Sequence, residues 1–336
     1  MNQNTTTLYG SDQIGLICGY LFNRQHTSQA LSSTAAETWL QNPQAHEFIW
    51  LHFNLTNTNT EKWLQRHLHL SPIFYEALHE GTRSTRIEYA DDSLIAVIND
   101  VVFDFNFEAS DVSTLWLSVQ NNVVISARVK PLLSIDHLRA AVKHGEIFNS
   151  PTDLLVHLLR EQADVLTQIV RNIAVHVDHI EDRLLANRLE NNRANLANAR
   201  RLLLRLQRLL APEPSALFRL LNRPPMWMIE QDVLDLRQST EEFSTVLRDM
   251  NTLQERIKLL QEEIAAYINE QNNRSLFVLT TVTVLALPIN ITAGLFGMNV
   301  GGIPLANDHA GFWIVVFLVA ILTCIAVWFA FGKNRD

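Results

Sequence analysis

Two long uncharged apolar runs near the C-terminal end constrain this chain more than any other feature. The first, Ser275–Gly297, reads SLFVLTTVTVLALPINITAGLFG over 23 residues, and the second, Gly311–Phe331, reads GFWIVVFLVAILTCIAVWFAF over 21. At ~1.5 Å per helical residue, each can cross a hydrocarbon layer of about 30 Å. Two buried helices of a soluble core would each show a polar face, and neither run carries a charge. The sequence therefore predicts two membrane-spanning helices.

Basic residues set the expected orientation. Arg274 precedes the first run, Lys333 and Arg335 follow the second, and the segment between them has none. The positive-inside rule then places both termini in the cytoplasm, and an inner (plasma) membrane location is expected. Met1–Gly10 lacks a basic and then apolar leader, so no cleaved signal peptide is expected. The two cysteines, Cys18 and Cys324, lie far apart in sequence and give no disulfide or zinc framework, so they read as packing residues.

Charge is distributed unevenly. Of 27 basic and 35 acidic residues, Lys333, Arg335, Asp308 and Asp336 lie beyond the first run, leaving 25 against 33 before it. A cytosolic part with that acidic excess repels nucleic acid and draws cations, although such a surface also serves solubility alone.

Up to about Ser150 the pattern mixes strands and short helices. GLICGYLF (15–22) and EFIWLHFNL (47–55) read as strands, while Ser71-Pro72 and Lys130-Pro131-Leu132 open helical stretches. TRIEYADDSLIAVIN turns at Asp91-Asp92 and STLWLSVQNNVVISARV turns at Asn121-Asn122, so both read as hairpins. Long helices follow. Leu154–Asn187 and Ala194–Leu210 keep helical spacing and can pair as an antiparallel hairpin, and the four prolines of APEPSALFRLLNRPPMWM (211–228) are expected to break the helix.

From about Asp232 to Arg274 there is neither Gly nor Pro, and Leu236, Phe243, Met250, Ile257 and Ile264 recur every seven residues, with Leu247, Leu253, Leu260 and Ile268 between them. No linker separates this helix from the first run, so one rod of roughly 65 residues is expected. A rod that long needs neighbours from its own chain or from identical subunits, and two spans per chain cannot enclose an aqueous path, which points to a homo-oligomer about an axis. On the first run Asn273, Leu276, Thr280, Thr283, Leu287, Asn290 and Gly294 follow at steps of three or four, a small or polar face. It reads as pore lining or as interhelical hydrogen bonding, and an Asn deep in a span favours the pore.

The segment joining the runs, GLFGMNVGGIP (294–304), carries no charge. Gly297-Met298-Asn299 at the exit of a penultimate span resembles the CorA family of divalent-cation transporters. The Val-Gly-Gly-Ile-Pro continuation, Glu80-Gly81-Thr82-Arg83, Asp111-Val112-Ser113, Ser126-Ala127-Arg128 and RLLAPEPSALFRLL are similar to its ZntB, zinc-transporting branch. The resemblance covers nearly the whole chain. It implies an α+β membrane protein forming a homopentameric funnel: an α/β domain (1–150), a helical hairpin region (151–230), a stalk continuous with the first span (231–297), an extracytoplasmic loop (298–310), a second span (311–331) and a cytosolic tail (332–336). It also implies a ring of Asn299 amide oxygens that holds a hydrated divalent ion, Zn2+ first and other divalent cations after it, with uptake assisted by protons. No cofactor is implied.

Asp308 and His309 are the ionisable groups of that loop, where magnesium-transporting members commonly carry acids, and they could pre-concentrate zinc or simply start the second span. His176 and His179, with Asp178 and Asp182, form a second candidate cation cluster, or a polar helix face. No phosphate loop, nucleophile elbow or metalloprotease helix appears, so an enzyme is not expected. A passive magnesium or cobalt channel and a membrane-tethered scaffold or enzyme whose acidic α/β domain does the work remain as alternatives.

Overall fold

The computed structural model describes residues 10–23, 28–44, 46–80, 85–108, 111–186, 192–298, 304 and 309–332. It divides into two units, 1–260 and 261–336.

The first unit is built on a seven-stranded sheet. Its strands are β1 (Leu16–Phe22), β2 (Ser28–Ala30), β3 (Phe48–Asn54), β4 (Arg86–Ala90), β5 (Ser93–Val101), β6 (Val112–Val119) and β7 (Val123–Arg128), in the spatial order β2-β1-β3-β7-β6-β5-β4. β3 and β7 pair in parallel and every other neighbour is antiparallel. Asp91 and Asp92 both take positive φ (50° and 55°) between the paired Ala90 and Ser93, the geometry that a two-residue hairpin demands and that Asp tolerates. The second hairpin closes with Gln120 N donating to Val123 O at 2.9 Å.

β3 is apolar on both sides because both sides are covered. Phe48 and Trp50 face α4 (Leu133–Lys143), α5 (Pro151–Leu185) and α7 (Pro212–Leu221), meeting Leu138, Leu158 and Leu217 in one core. Ile49, Leu51 and Phe53 face α1 (Ser33–Gln41), α2 (Thr60–His67) and α3 (Pro72–Glu80), meeting Trp39, Leu64 and Phe74 in another. The result is a three-layer α/β/α arrangement. Each buried Leu, Ile or Phe contributes roughly 1.5–3 kcal/mol to it.

α5 starts on a complete signal: Ser150 Oγ accepts from Asp153 N at 3.0 Å, and Pro151 takes the first turn. α6 spans Asn192–Leu210. The proline-rich segment differs from the expectation of a plain break. It does end α6, yet Pro212–Leu221 is itself helical, because Pro212 and Pro214 sit in the first turn, where backbone N–H groups have no intrahelical partner to lose. Pro224 and Pro225 lie in the connection that follows.

α8 runs without interruption over Glu230–Phe296, 67 residues and about 100 Å of helix. Leu236, Phe243, Met250, Ile257 and Ile264 are all at 0–1% exposure, so the seven-residue seam is the buried edge of the helix. Pro288 lies inside it. The second unit holds the end of α8 and α9 (Gly311–Gly332), and both helices have uncharged windows long enough to cross a bilayer.

Candidate functional site

Asn273, Leu276, Thr280, Thr283, Leu287, Asn290 and Gly294 all lie on α8 and are exposed in the single chain. Thr245, Thr252, Leu259 and Ala266 continue the register of Asn273, Thr280, Leu287 and Gly294 at seven-residue steps, and these too are exposed. Between 245 and 266 this line is an exposed phase distinct from the apolar seam, whereas over 269–298 every side of the helix is exposed or half-buried, so there the line is marked by its chemistry and not by its exposure. Most of its side chains are small or carry a hydroxyl or amide.

The hydroxyls are oriented by the backbone. Thr281, Thr283 and Thr292 each donate at 2.8 Å to the carbonyl four residues back, those of Phe277, Leu279 and Pro288. With the hydrogen spent on the helix, Thr283 offers its surroundings acceptor lone pairs, which suits water or a cation. Pro288 has no amide to give, so the Val284 carbonyl loses its donor one turn earlier. In hydrocarbon such a group needs another partner.

The glycines differ from one another. A Cβ on Gly297 would meet the Ala293 carbonyl oxygen at 2.7 Å, so the helix end itself requires glycine there. A Cβ on Gly294 would meet nothing within 4 Å among the described residues, so no described neighbour requires glycine there. Met298 is exposed, and His309 is exposed in the turn before α9. Asn299 and Asp308 lie outside the described residues.

His176, Asp178, His179 and Asp182 are exposed on α5 but are not brought together. At about 100° per residue, Asp178 lies some 200° around the helix from His176. Asp178 pairs instead with Arg256 Nη1 of α8 at 2.6 Å, and Glu181 pairs with the same guanidinium. His176 Nδ1 lies 3.3 Å from the Asn172 carbonyl. Among the described residues no group of three or more His, Cys, Asp or Glu surrounds a metal position.

Sequence reasoning missed two polar clusters in the core. His52 is fully buried, its Nδ1 at 2.7 Å from Ser126 Oγ and its Nε2 accepting from Arg128 Nε at 3.2 Å. Burial and then the charge of Arg128 push its pKa well below the ordinary value, which keeps the imidazole neutral. Asp100, also buried, accepts from Val101 N at 2.7 Å and from Ser134 Oγ at 2.8 Å, and burial raises its carboxyl to about 6. Isolated polar letters in strands give no sequence signal for such partners.

The family described as CorA-like Mg2+ transporter protein matches residues 45–333. A protein named divalent cation transporter CmaX, from Pseudomonas aeruginosa, is 26% identical over 326 residues, 96% of this chain and 97% of that one. A zinc transport protein ZntB from Yersinia enterocolitica is 23% identical over 294 residues, 86% and 88% of the two chains. The structure of full-length CmaX superposes with a TM-score of 0.83 at 25% identity, covering 97% of this chain and all of that one. CorA from Methanocaldococcus jannaschii shares the fold at a TM-score of 0.75 and 19% identity, covering 95% and 98%. With the fold, the two apolar helices and the matched span in agreement, this chain belongs to the CorA-like Mg2+ transporter protein family.

Proposed function

We propose that this divalent-cation transporter carries zinc across the inner membrane, as a homo-oligomer whose axis is lined by the exposed phase of α8. The observation that carries the reading is that phase itself. From Asn273 to Gly294 it is chargeless and, apart from Leu276 and Leu287, small or hydroxyl- or amide-bearing, and no described residue of its own chain covers it. Lone pairs on Thr283 and an acceptor on Asn290 can hold the water shell of a cation without binding it irreversibly. Asn299, three residues past Phe296 in sequence, is read as the selectivity ring at the mouth, with Gly294 allowing neighbouring helices to approach. Residues 298–310 are then extracytoplasmic and both termini cytoplasmic, as the basic residues Arg274, Lys333 and Arg335 favour.

Zinc is preferred because relatives named zinc transport protein ZntB match over more than four-fifths of the chain, and because the sequence after the motif carries no acid before Asp308. Proton assistance would need a titrating group outside the first span, which has no ionisable side chain. A passive magnesium channel is the second reading, favoured by the family description.

The test is zinc uptake into liposomes holding the purified protein, with and without an inward proton gradient, beside Asn299→Ala. Gradient-accelerated zinc flux that the substitution abolishes supports the proposal. Flux indifferent to the gradient, or selective for magnesium, supports the channel.

A further inference from the structure

The polar network that ties α5 and α7 to the sheet contains two buried carboxylates with unequal supplies of donors. Asp100 receives hydrogen bonds from Val101 N, Ser134 Oγ and Ser134 N, so both its oxygens are satisfied. Glu213, at 0% exposure in the first turn of α7, is not so supplied. Its Oε2 accepts from Gln162 Nε2 at 3.4 Å, and its Oε1 is buried without a hydrogen-bond partner among the described residues. Gln162 mirrors it: Nε2 also donates to the Asn99 carbonyl at 2.7 Å, while Oε1 is buried and has no partner among the described residues.

Two acceptor oxygens are thus stranded on two side chains that already touch. An ionised carboxylate only accepts, so it relieves neither. A carboxylic acid relieves both, because an O–H on Glu213 Oε1 can donate to Gln162 Oε1 beside the existing Nε2···Oε2 contact, closing a reciprocal acid–amide pair. We propose that Glu213 is a buried proton-binding site, held as the neutral acid at neutral pH and paired with the Gln162 amide to fasten α7 and α5 to β5.

The surroundings agree. β5 presents the carboxylate of Asp100, α5 the neutral Gln162, and α4 contributes His137, whose influence falls on Asp100. α6 presents the Leu209 carbonyl, which accepts from Thr85 and Asn99. Burial and then the charge of Asp100 hold the Glu213 pKa well above the carboxylate range, against the opposing hydrogen bond from Gln162. The α7 N-terminus would favour the anion, and burial overrides it. With the folded pKa above that of the unfolded chain, the native state binds more protons, so the bound proton supports stability at low pH and that support is lost as pH rises.

The experiment uses the purified full-length chain in detergent. Infrared spectra of [13C]glutamate-labelled wild-type protein at neutral pH are expected to show a protonated-carboxyl C=O band carrying the isotope shift. Glu213→Gln, whose amide copies the donor and acceptor of the neutral acid, should lose that band, while Asp100→Asn keeps it. Relative to wild type, E213Q should melt at the same temperature near pH ~5 and roughly 2–4 °C higher near pH ~9. Absence of a shifted band in the labelled wild type overturns the proposal, whether or not the variant folds. A loss of stability in E213Q that is equal at both pH values also overturns it.

Discussion

Thr283 shows what a single side chain decides in this molecule. Its hydroxyl hydrogen is committed to the Leu279 carbonyl, so its outward character is that of an acceptor. Thr283→Val keeps shape and removes that acceptor. Zinc flux in liposomes should fall several-fold with no change in the unfolding midpoint, and an unchanged rate would remove Thr283 from the proposed path. Asp100 makes a different prediction. Its carboxyl is raised by burial from the ordinary 3.8 to about 6, so the native state holds its proton more tightly than the unfolded chain. The contribution of its bound proton to stability is therefore fully present below pH ~4 and declines as pH rises through about 6, a slope that Asp100→Asn should flatten in thermal melts across that window. Residues such as Asp100 and His52 were illegible beforehand, because their roles depend on partners 34 and 74 positions away. That Thr283 and its neighbours share one face of a helix was legible, since helical spacing alone aligns them.

At the scale of elements, α8 separates side chains that hold the fold from those that do not. Ile257 is fully buried on the apolar seam, whereas Glu255 two residues earlier is exposed. Ile257→Ala should cost about 2–4 kcal/mol in urea unfolding, and Glu255→Ala less than about 0.5 kcal/mol. Equal effects would mean that the seam is not packed. The α5–α8 clamp of Asp178, Glu181 and Arg256 is half exposed, so Arg256→Ala should cost no more than about 1 kcal/mol. The seam was readable because five apolar residues at a constant step can mark only one edge of a helix. The helix α1, capped by Ser32 Oγ accepting from Ala35 N, went unread, as did α2, because short helices rich in Thr and polar residues carry little periodicity. The parallel pairing of β3 with β7 left no local trace at all, whereas both antiparallel hairpins announced themselves in their turns.

For the whole molecule, the proposed topology is open to a direct check. A cysteine introduced at Lys333 in a Cys18→Ser, Cys324→Ser background should react with a membrane-impermeant maleimide in inside-out vesicles and resist it in right-side-out ones. The reverse pattern would invert the topology. The order of the sheet carries a consequence for how the chain is made. β1–β3 and β4–β7 are each stitched by antiparallel neighbours close in sequence, and the single parallel seam β3·β7 welds the two halves. Joining them closes a loop of about 70 residues, the slow kind of contact in a folding reaction. Yet all seven strands precede residue 129, and both apolar runs come more than a hundred residues later. At roughly 5–20 residues per second of synthesis, a ribosome leaves several seconds for that weld before the first hydrophobic run emerges. The slowest pairing in the fold is thus scheduled ahead of membrane insertion.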